Sequence, residues 1–271
     1  MARAGPERRG PQRVRPRAER YVRRMRIAVM SDVHGNLLAL DAVLDDITSH
    51  AVDVTVNLGD LLSGPLCPRE TADRLRELDL LTVRGNHERQ VLETPVGGMG
   101  PSDRHAHDAL APEHLTWLAG LPLTLELDGD VLAFHGSPSD DLQYLLHTVE
   151  VTGARDATTD EVMDRLGPHA RRRLLLCGHT HLPGSLALPT GVLVVNPGSV
   201  GWPAYEDDAP HPHVMEAGTP HARYALVEDV DGRWDVTFRA VEYDWDRAAD
   251  TADGHGRPDV AHALRTGRLP R

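Results

Sequence analysis

Asp32 and His34 stand two residues apart in SDVHGN, Asp60 closes VNLGD, and Asn86 and His87 adjoin in RGNHE. Farther along come His135 in FHG and the pair His179 and His181 in GHTH. These side chains are oxygen and imidazole donors with no thiolate among them, a set suited to Mn2+, Fe or Zn2+ and not to a soft metal. Asp32, His34, Asp60, Asn86, His135, His179 and His181 are too many ligands for one ion. With one aspartate able to bridge, they suffice for two sites of about four protein ligands each. A lone histidine beside glycine is most often a surface or core residue, and an aspartate before a turn is commonly a turn former or helix cap. Asp32 alone could cap the helix that begins near Asn36. What sets this group apart is placement: five strand-like segments each end in Asp, Asn or His next to a glycine.

The segments that must position these residues alternate in period. RIAVMSD (26–32) reads as a buried strand, and NLLALDAVLDDITSH (36–50) as a helix with Leu37, Leu40, Val43, Leu44 and Ile47 on one face. VDVTVNLGD (52–60) is a second strand, CPRETADRLRELD (67–79) a helix with Pro68 near its start, and LLTVRGN (80–86) a third strand. Strands alternating with helices imply a parallel sheet built by crossovers. Residues 93–108 read as a loop, 111–122 as a short helix and 123–138 as a hairpin with an Asp-Gly turn. RLLLCGH (173–179), GVLVVNPGS (191–199) and the hairpin at 222–241 add strands, while 138–150 and 202–221 read as connections. The second half therefore suggests another sheet packed on the first. No linker divides the chain, so residues 25–271 are expected to form a single domain ending in a C-terminal segment, 242–271. In open α/β sheets ligands bind at the carboxyl ends of strands, where the candidate ligands fall.

Composition narrows the class. The 271 residues include 29 arginines and no lysine, two Ile, two Phe and only four Asn, the signature of a GC-rich genome. All four Asn sit beside Gly or Pro landmarks. The net charge of −12 is divided unevenly: nine Arg against two Glu give residues 1–24 a charge of +7 and leave the rest at −19. So acidic a body disfavours broad nucleic-acid binding. The arm reads as a disordered leader, or as sequence upstream of a start at Met25; a tether to nucleic acid and a transit-like segment are the alternatives, and it lacks the apolar core of a secretory signal. No apolar run approaches the roughly 18 residues of a membrane span. Two cysteines, Cys67 and Cys177, exclude a disulfide framework and fit a reducing compartment, so a cytoplasmic location is expected.

The order D-x-H, GD, GNH, H, GHxH resembles the calcineurin-like metallophosphoesterase superfamily, from Met25 to about residue 200, with the closing hairpin also similar to its small bacterial members. The resemblance implies an α/β fold of four layers, two packed mixed sheets flanked by helices. It implies that Asp32, His34 and His181 hold one divalent ion, that Asn86, His135 and His179 hold a second, and that Asp60 bridges them. His87 would face the substrate phosphate and act catalytically. The implied activity is hydrolysis of a phosphodiester or nucleotide-type phosphate bond by water activated between the ions, with Mn2+ first and Fe or Zn2+ as alternatives. The expected partner is a small phosphorylated substrate; a phosphomonoesterase, a protein phosphatase and a non-catalytic scaffold of the same fold are the other readings. Members acting on phosphoproteins carry an arginine four residues after the bridging Asp, where this chain has Gly64, which disfavours that activity. Glu88, next to the GNH triplet, reads as helix N-terminal charge and not as a ligand. Arg84 and Tyr144 are candidate substrate contacts, with His147 beside the latter; His105, His107, His211 and His213 read as surface histidines, Cys177 as core, and NPGS (196–199) as a structural turn.

Overall fold

The computed structural model describes residues 25–271; the arginine-rich arm expected as a leader lies outside the described residues. The amino half runs β1 (Arg26–Met30), α1 (Leu37–Thr48), β2 (Val54–Asn57), α2 (Pro68–Leu78), β3 (Leu81–Thr82), α3 (Asn86–Glu93), α4 (Pro101–Ala109) and α5 (Pro112–Ala119). Then come β4 (Thr124–Leu127), β5 (Val131–Phe134), β6 (His147–Glu150), β7 (Gly153–Asp156), α6 (Thr159–Leu166), β8 (Leu174–Leu176), β9 (Pro183–Ala187) and β10 (Leu193–Pro197). β11 (Ala204–Asp207), β12 (His213–Glu216), β13 (Ala222–Val230), β14 (Arg233–Val241), α7 (Trp245–Gly254) and α8 (Pro258–Thr266) complete the chain. Two five-stranded mixed sheets result, in the orders β14-β13-β1-β2-β3 and β4-β5-β8-β10-β9.

Alternation along the strands builds four layers. Ile27 and Val29 of β1 face a core shared with Val131 and Ala133 of β5 and Leu174 and Leu176 of β8, which lies between the sheets. Ala28 and Met30 point the other way, into a core with Leu40 and Val43 of α1 and Leu75 of α2. On the far side, Leu132, Phe134 and Leu175 pack on Val162 and Leu166 of α6. Because the central strands are buried on both faces, they read as continuous apolar runs. The four-layer α/β sandwich expected from the sequence is the one observed.

The departures lie in polar segments. The stretch read as a loop, 93–108, holds most of α4, and the connection 202–221 holds the hairpin β11–β12. A further hairpin, β6–β7, begins inside 138–150. α4 buries only Asp103 and Ala106, so it has no apolar stripe for a periodicity search to detect. The segment 242–271 folds into α7 and α8, whose contact rests on Ala248, Ala249, Ala252 and Ala261. The third strand is only two residues long.

Parallel pairing of β1 with β2 and of β5, β8 and β10 places their carboxyl ends together. Gly201, after β10, crosses β1 so closely that an added Cβ would fall on the Val33 carbonyl oxygen. Gly201→Ala should therefore destabilise the fold by about 1–3 kcal/mol, as overpacking does. Thermal unfolding should record this as a loss of roughly 2–4 °C per kcal/mol; an unchanged midpoint would contradict the crossing.

Candidate metal centre

Five of the seven residues proposed as ligands hold a left-handed backbone: Asp32 (φ 58°), His34 (φ 51°), Asp60 (φ 55°), His179 (φ 69°) and His181 (φ 60°). Such angles are uncommon for non-glycine residues and persist where the surrounding structure fixes them. Here the strand-end turns are fixed by each other. Asp32 N donates to the Gly59 carbonyl, His34 N to that of Asp60, and Gly178 N to that of His135. The Glu88 carboxylate accepts from the amides of Asp60 (2.9 Å), Leu61 (2.8 Å) and Gly85 (2.9 Å), so it ties the β2 and α3 turns together in addition to capping a helix. Asn196 of NPGS donates to the Gly178 carbonyl (2.6 Å) and to Thr180 Oγ1 (3.0 Å), and Ser199 Oγ to the Asp32 carbonyl (2.8 Å). Asn36, not Asp32, caps α1.

The turns aim seven side chains at one another. Four imidazoles each donate one ring N–H to a backbone carbonyl: His34 Nδ1 to Ser63 (2.6 Å), His181 Nδ1 to Trp202 (2.6 Å), His135 Nδ1 to Leu58 (2.7 Å) and His179 Nε2 to Leu142 (3.1 Å). A carbonyl can only accept, so each bond fixes which nitrogen is left facing inward. His34 Nε2 consequently meets His181 Nε2 at 3.0 Å. Burial, with repulsion from His181, lowers the His34 pKa to about 3, so its inward nitrogen is a bare acceptor. Burial and His135 lower His179 to about 4, and the Asn86 amide oxygen lies 3.0 Å from its Nδ1. Asp32 Oδ1 is buried without a hydrogen-bond partner, 3.4 Å from His181 Nε2.

The charges agree with this reading. Burial pushes the Asp60 carboxyl up, but His135 and His87 outweigh it and hold it well below the usual range. Asp32 is likewise lowered, burial being outweighed by His181. Burial would lower His135, yet Asp60, 3.1 Å away, raises it to about 10. Glu88 is raised by burial and by Asp60. Buried acceptors facing acceptors are unfavourable unless a cation lies among them. Two groups, Asp32–His34–His181 and Asp60–His135–His179, present ligand atoms within 4.8 Å of one another, and the Asn86 oxygen adjoins the second. The donor set therefore fits divalent ions.

His87 lies beside the groups. Its amide donates to Asp60 Oδ1 (3.0 Å), its ring stands edge-on to His34, and Nδ1 pairs with Asp103 Oδ1 at 2.7 Å. Burial would lower its pKa, but Asp60, Asp103 and Glu88 raise it to about 9. Asp103 also accepts from Ser63 Oγ (2.7 Å). Nothing in DRHAHD distinguishes this aspartate from a helix surface residue; its role depends on where α4 docks. A second group missed in sequence backs the GHTH turn. The Tyr144 ring packs on His179 and that of Tyr205 on His181, while Tyr144 Oη meets Tyr205 Oη (2.5 Å) and His213 Nε2 (3.0 Å). His213, read as a surface residue, is buried, and Cys177 is a core residue.

A cavity of about 480 Å³ opens on His34, Asp60, His87 and His181. Neither Arg84 nor Tyr144 lines it. Arg84 borders a separate cavity of about 240 Å³ and lies 3.8 Å from Glu93, and Tyr144 stands behind His179. An added Cβ at Gly64 would fall on the His34 carbonyl oxygen, so the phosphate-gripping arginine of phosphoprotein enzymes has no room there. No helix of the described residues is long and apolar enough to cross a membrane.

Residues 25–219 match the calcineurin-like phosphoesterase superfamily domain. The chain is 29% identical over 250 residues to the protein MJ0912 of Methanocaldococcus jannaschii, covering 82% of this chain and 89% of that one. Its fold is similar to the crystal structure of a metallophosphoesterase from Sphaerobacter thermophilus, with a TM-score of 0.69 and 28% identity over 90% of this chain and 99% of that one. The protein PH1004 of Pyrococcus horikoshii shares the fold at a TM-score of 0.71 and 20% identity, with 91% and 100% covered.

Saturating Mn2+ should raise the unfolding midpoint, since an ion at 100 times its Kd adds about 2.7 kcal/mol. His135 must surrender its proton to bind, so affinity should rise with pH up to about 10; calorimetry across pH checks the sign. Asp103→Asn should leave Mn2+ binding within about threefold while lowering turnover by roughly tenfold or more, because it loosens only His87.

Proposed function

We propose that this chain, which belongs to the calcineurin-like phosphoesterase superfamily, is a phosphodiesterase that works with two divalent ions on a small phosphorylated substrate. Manganese is the first choice of ion, with iron or zinc as alternatives. Nucleotide-type phosphate bonds are the second substrate class. A bacterial cytoplasm is the proposed setting, in keeping with two free cysteines and no disulfide among the described residues.

The observation that carries the reading is the convergence of buried acceptors around Asp32, Asp60 and the four tethered imidazoles. Asp32, His34 and His181 would hold one ion and Asn86, His135 and His179 the other, with Asp60 between. Ions so held supply an acidified water and neutralise charge building on the phosphoryl oxygens. His87 supplies what the ligands cannot. With Nδ1 committed to Asp103 and a pKa of about 9, it carries a proton at neutral pH that Nε2 can offer to the cavity. There it stabilises the pentacoordinate charge and protonates the departing alkoxide. The diester preference is supported by space: the cavity extends past the acceptor groups to Trp202 and α8, room for a second alcohol on phosphorus.

Hydrolysis of bis(4-nitrophenyl) phosphate by the Mn2+-loaded chain is the test. His87→Ala should cost roughly 10²–10⁴ in kcat with metal content retained. Asp60→Asn should lose both turnover and the second ion. A folded protein with two ions per chain and no turnover of diester, monoester or dinucleoside polyphosphate would overturn the proposal.

A further inference from the structure

The far wall of the cavity is built by α8 and the residues after it, beyond the span matching the superfamily domain. The wall is anchored: the Gly218 amide donates to the Gly267 carbonyl (2.9 Å) and the Leu269 amide to Glu216 Oε1 (2.9 Å). Arg257 sits at the start of α8, and it is the one arginine lining the cavity of a chain with no lysine. Its guanidinium is already committed. Nε and Nη2 donate to Asp259 (3.0 and 2.7 Å), Nη1 donates to Ser102 Oγ (3.0 Å), and its face lies 5.9 Å over the Trp202 ring. Against it stand the carboxylates of Glu206, Asp207 and Asp259. Among the described residues Glu206 has neither a hydrogen bond nor an ion pair through its side chain. At the other end of the same cavity lies the acceptor cluster that contains the unpartnered, fully buried Asp32 Oδ1.

Positive charge in this cavity is thus confined to the proposed ion centre and His87, while the outer half is acidic and its single cation is neutralised by Asp259. A substrate that puts one phosphate at the centre and further phosphates in the outer half would meet like charge and no free donor. Carboxylates without partners accept hydrogen bonds from hydroxyl groups instead. We infer that the substrate is a phosphodiester bearing a single phosphate, whose second alcohol is uncharged and carries hydroxyl groups that Glu206 and Asp207 accept, and that polyphosphates are excluded by the same residues. This inference rests on the phosphodiesterase reading above and narrows it away from phosphoanhydrides.

The experiment compares kcat/KM for bis-glyceryl phosphate and diadenosine tetraphosphate, with Mn2+ in excess of the polyphosphate and bis(4-nitrophenyl) phosphate as reference. Calorimetric binding of glycerol 3-phosphate and of ADP at equal free Mn2+ gives a readout independent of turnover. The native chain should favour the glyceryl compound in both assays. The double variant Glu206→Gln, Asp207→Asn should shift both ratios about tenfold toward the polyphosphate. Asp128→Asn, a charge removed in the β4–β5 turn outside the cavity, should shift neither. A native preference for the polyphosphate, or ratios unmoved in the double variant, would overturn the inference while aryl diester hydrolysis keeps the parent reading intact. No hydrolysis of the aryl diester would overturn both.

Discussion

Four backbone carbonyls decide what this site can hold. By accepting one N–H from each imidazole, Ser63, Trp202, Leu58 and Leu142 fix the orientation of the rings and choose the nitrogen that faces inward. His34 Nε2 cannot donate to His181 Nε2, because each ring spends its other nitrogen on a carbonyl. A protein interior normally pairs donors with acceptors. One that gathers bare acceptors in a buried place is stable only with positive charge among them, so the carbonyl tethers and the preference for cations are one constraint.

That constraint sets the demands on the fold. Carbonyls and ligands must share the same few strand-end turns, which puts Asp32, His34, Asp60, His179 and His181 at left-handed backbone angles. Strain of order 1–3 kcal/mol per residue is sustained only if neighbouring structure over-determines the turns. The two sheets provide this by crossing at their carboxyl ends, and Glu88, Asn196 and Ser199 lace the turns together with buried hydrogen bonds. Apolar packing between the sheets positions the scaffold to within a residue, and polar ties set the final angles.

Legibility in the sequence followed the same division. The strands that end in candidate ligands are buried on both faces, so their apolar runs were plain, and the four layers followed from alternation. Asp32, His34, Asp60, Asn86, His135, His179 and His181 stood out because each adjoins a glycine landmark at such an end. Asp103 did not, since α4 is a polar helix whose docking depends on a side-chain bond to Ser63 and not on an apolar stripe. Tyr205 and His213 were hidden for a related reason: the short hairpin β11–β12 lies in a stretch rich in Pro and acids and reads as a connection. Arg84 and Tyr144 were placed near the chemistry by sequence proximity, and the structure turns both away from the cavity. Local pattern reports what ends at the site, whereas what leans on it from a distant segment is fixed only by tertiary packing.

The amide of His179 reaches Asp32 across 147 positions of chain, and the cavity wall ends only at Pro270. Chains leave the ribosome amino end first, at about 5–20 residues per second. Asp32 and His34 are thus exposed to the cell well before His179 and His181 exist, and the first half of the protein has no means of retaining an ion. Metal acquisition is therefore a late event, coupled to closure of the second sheet, and the ion available when synthesis finishes is the one the protein encounters first.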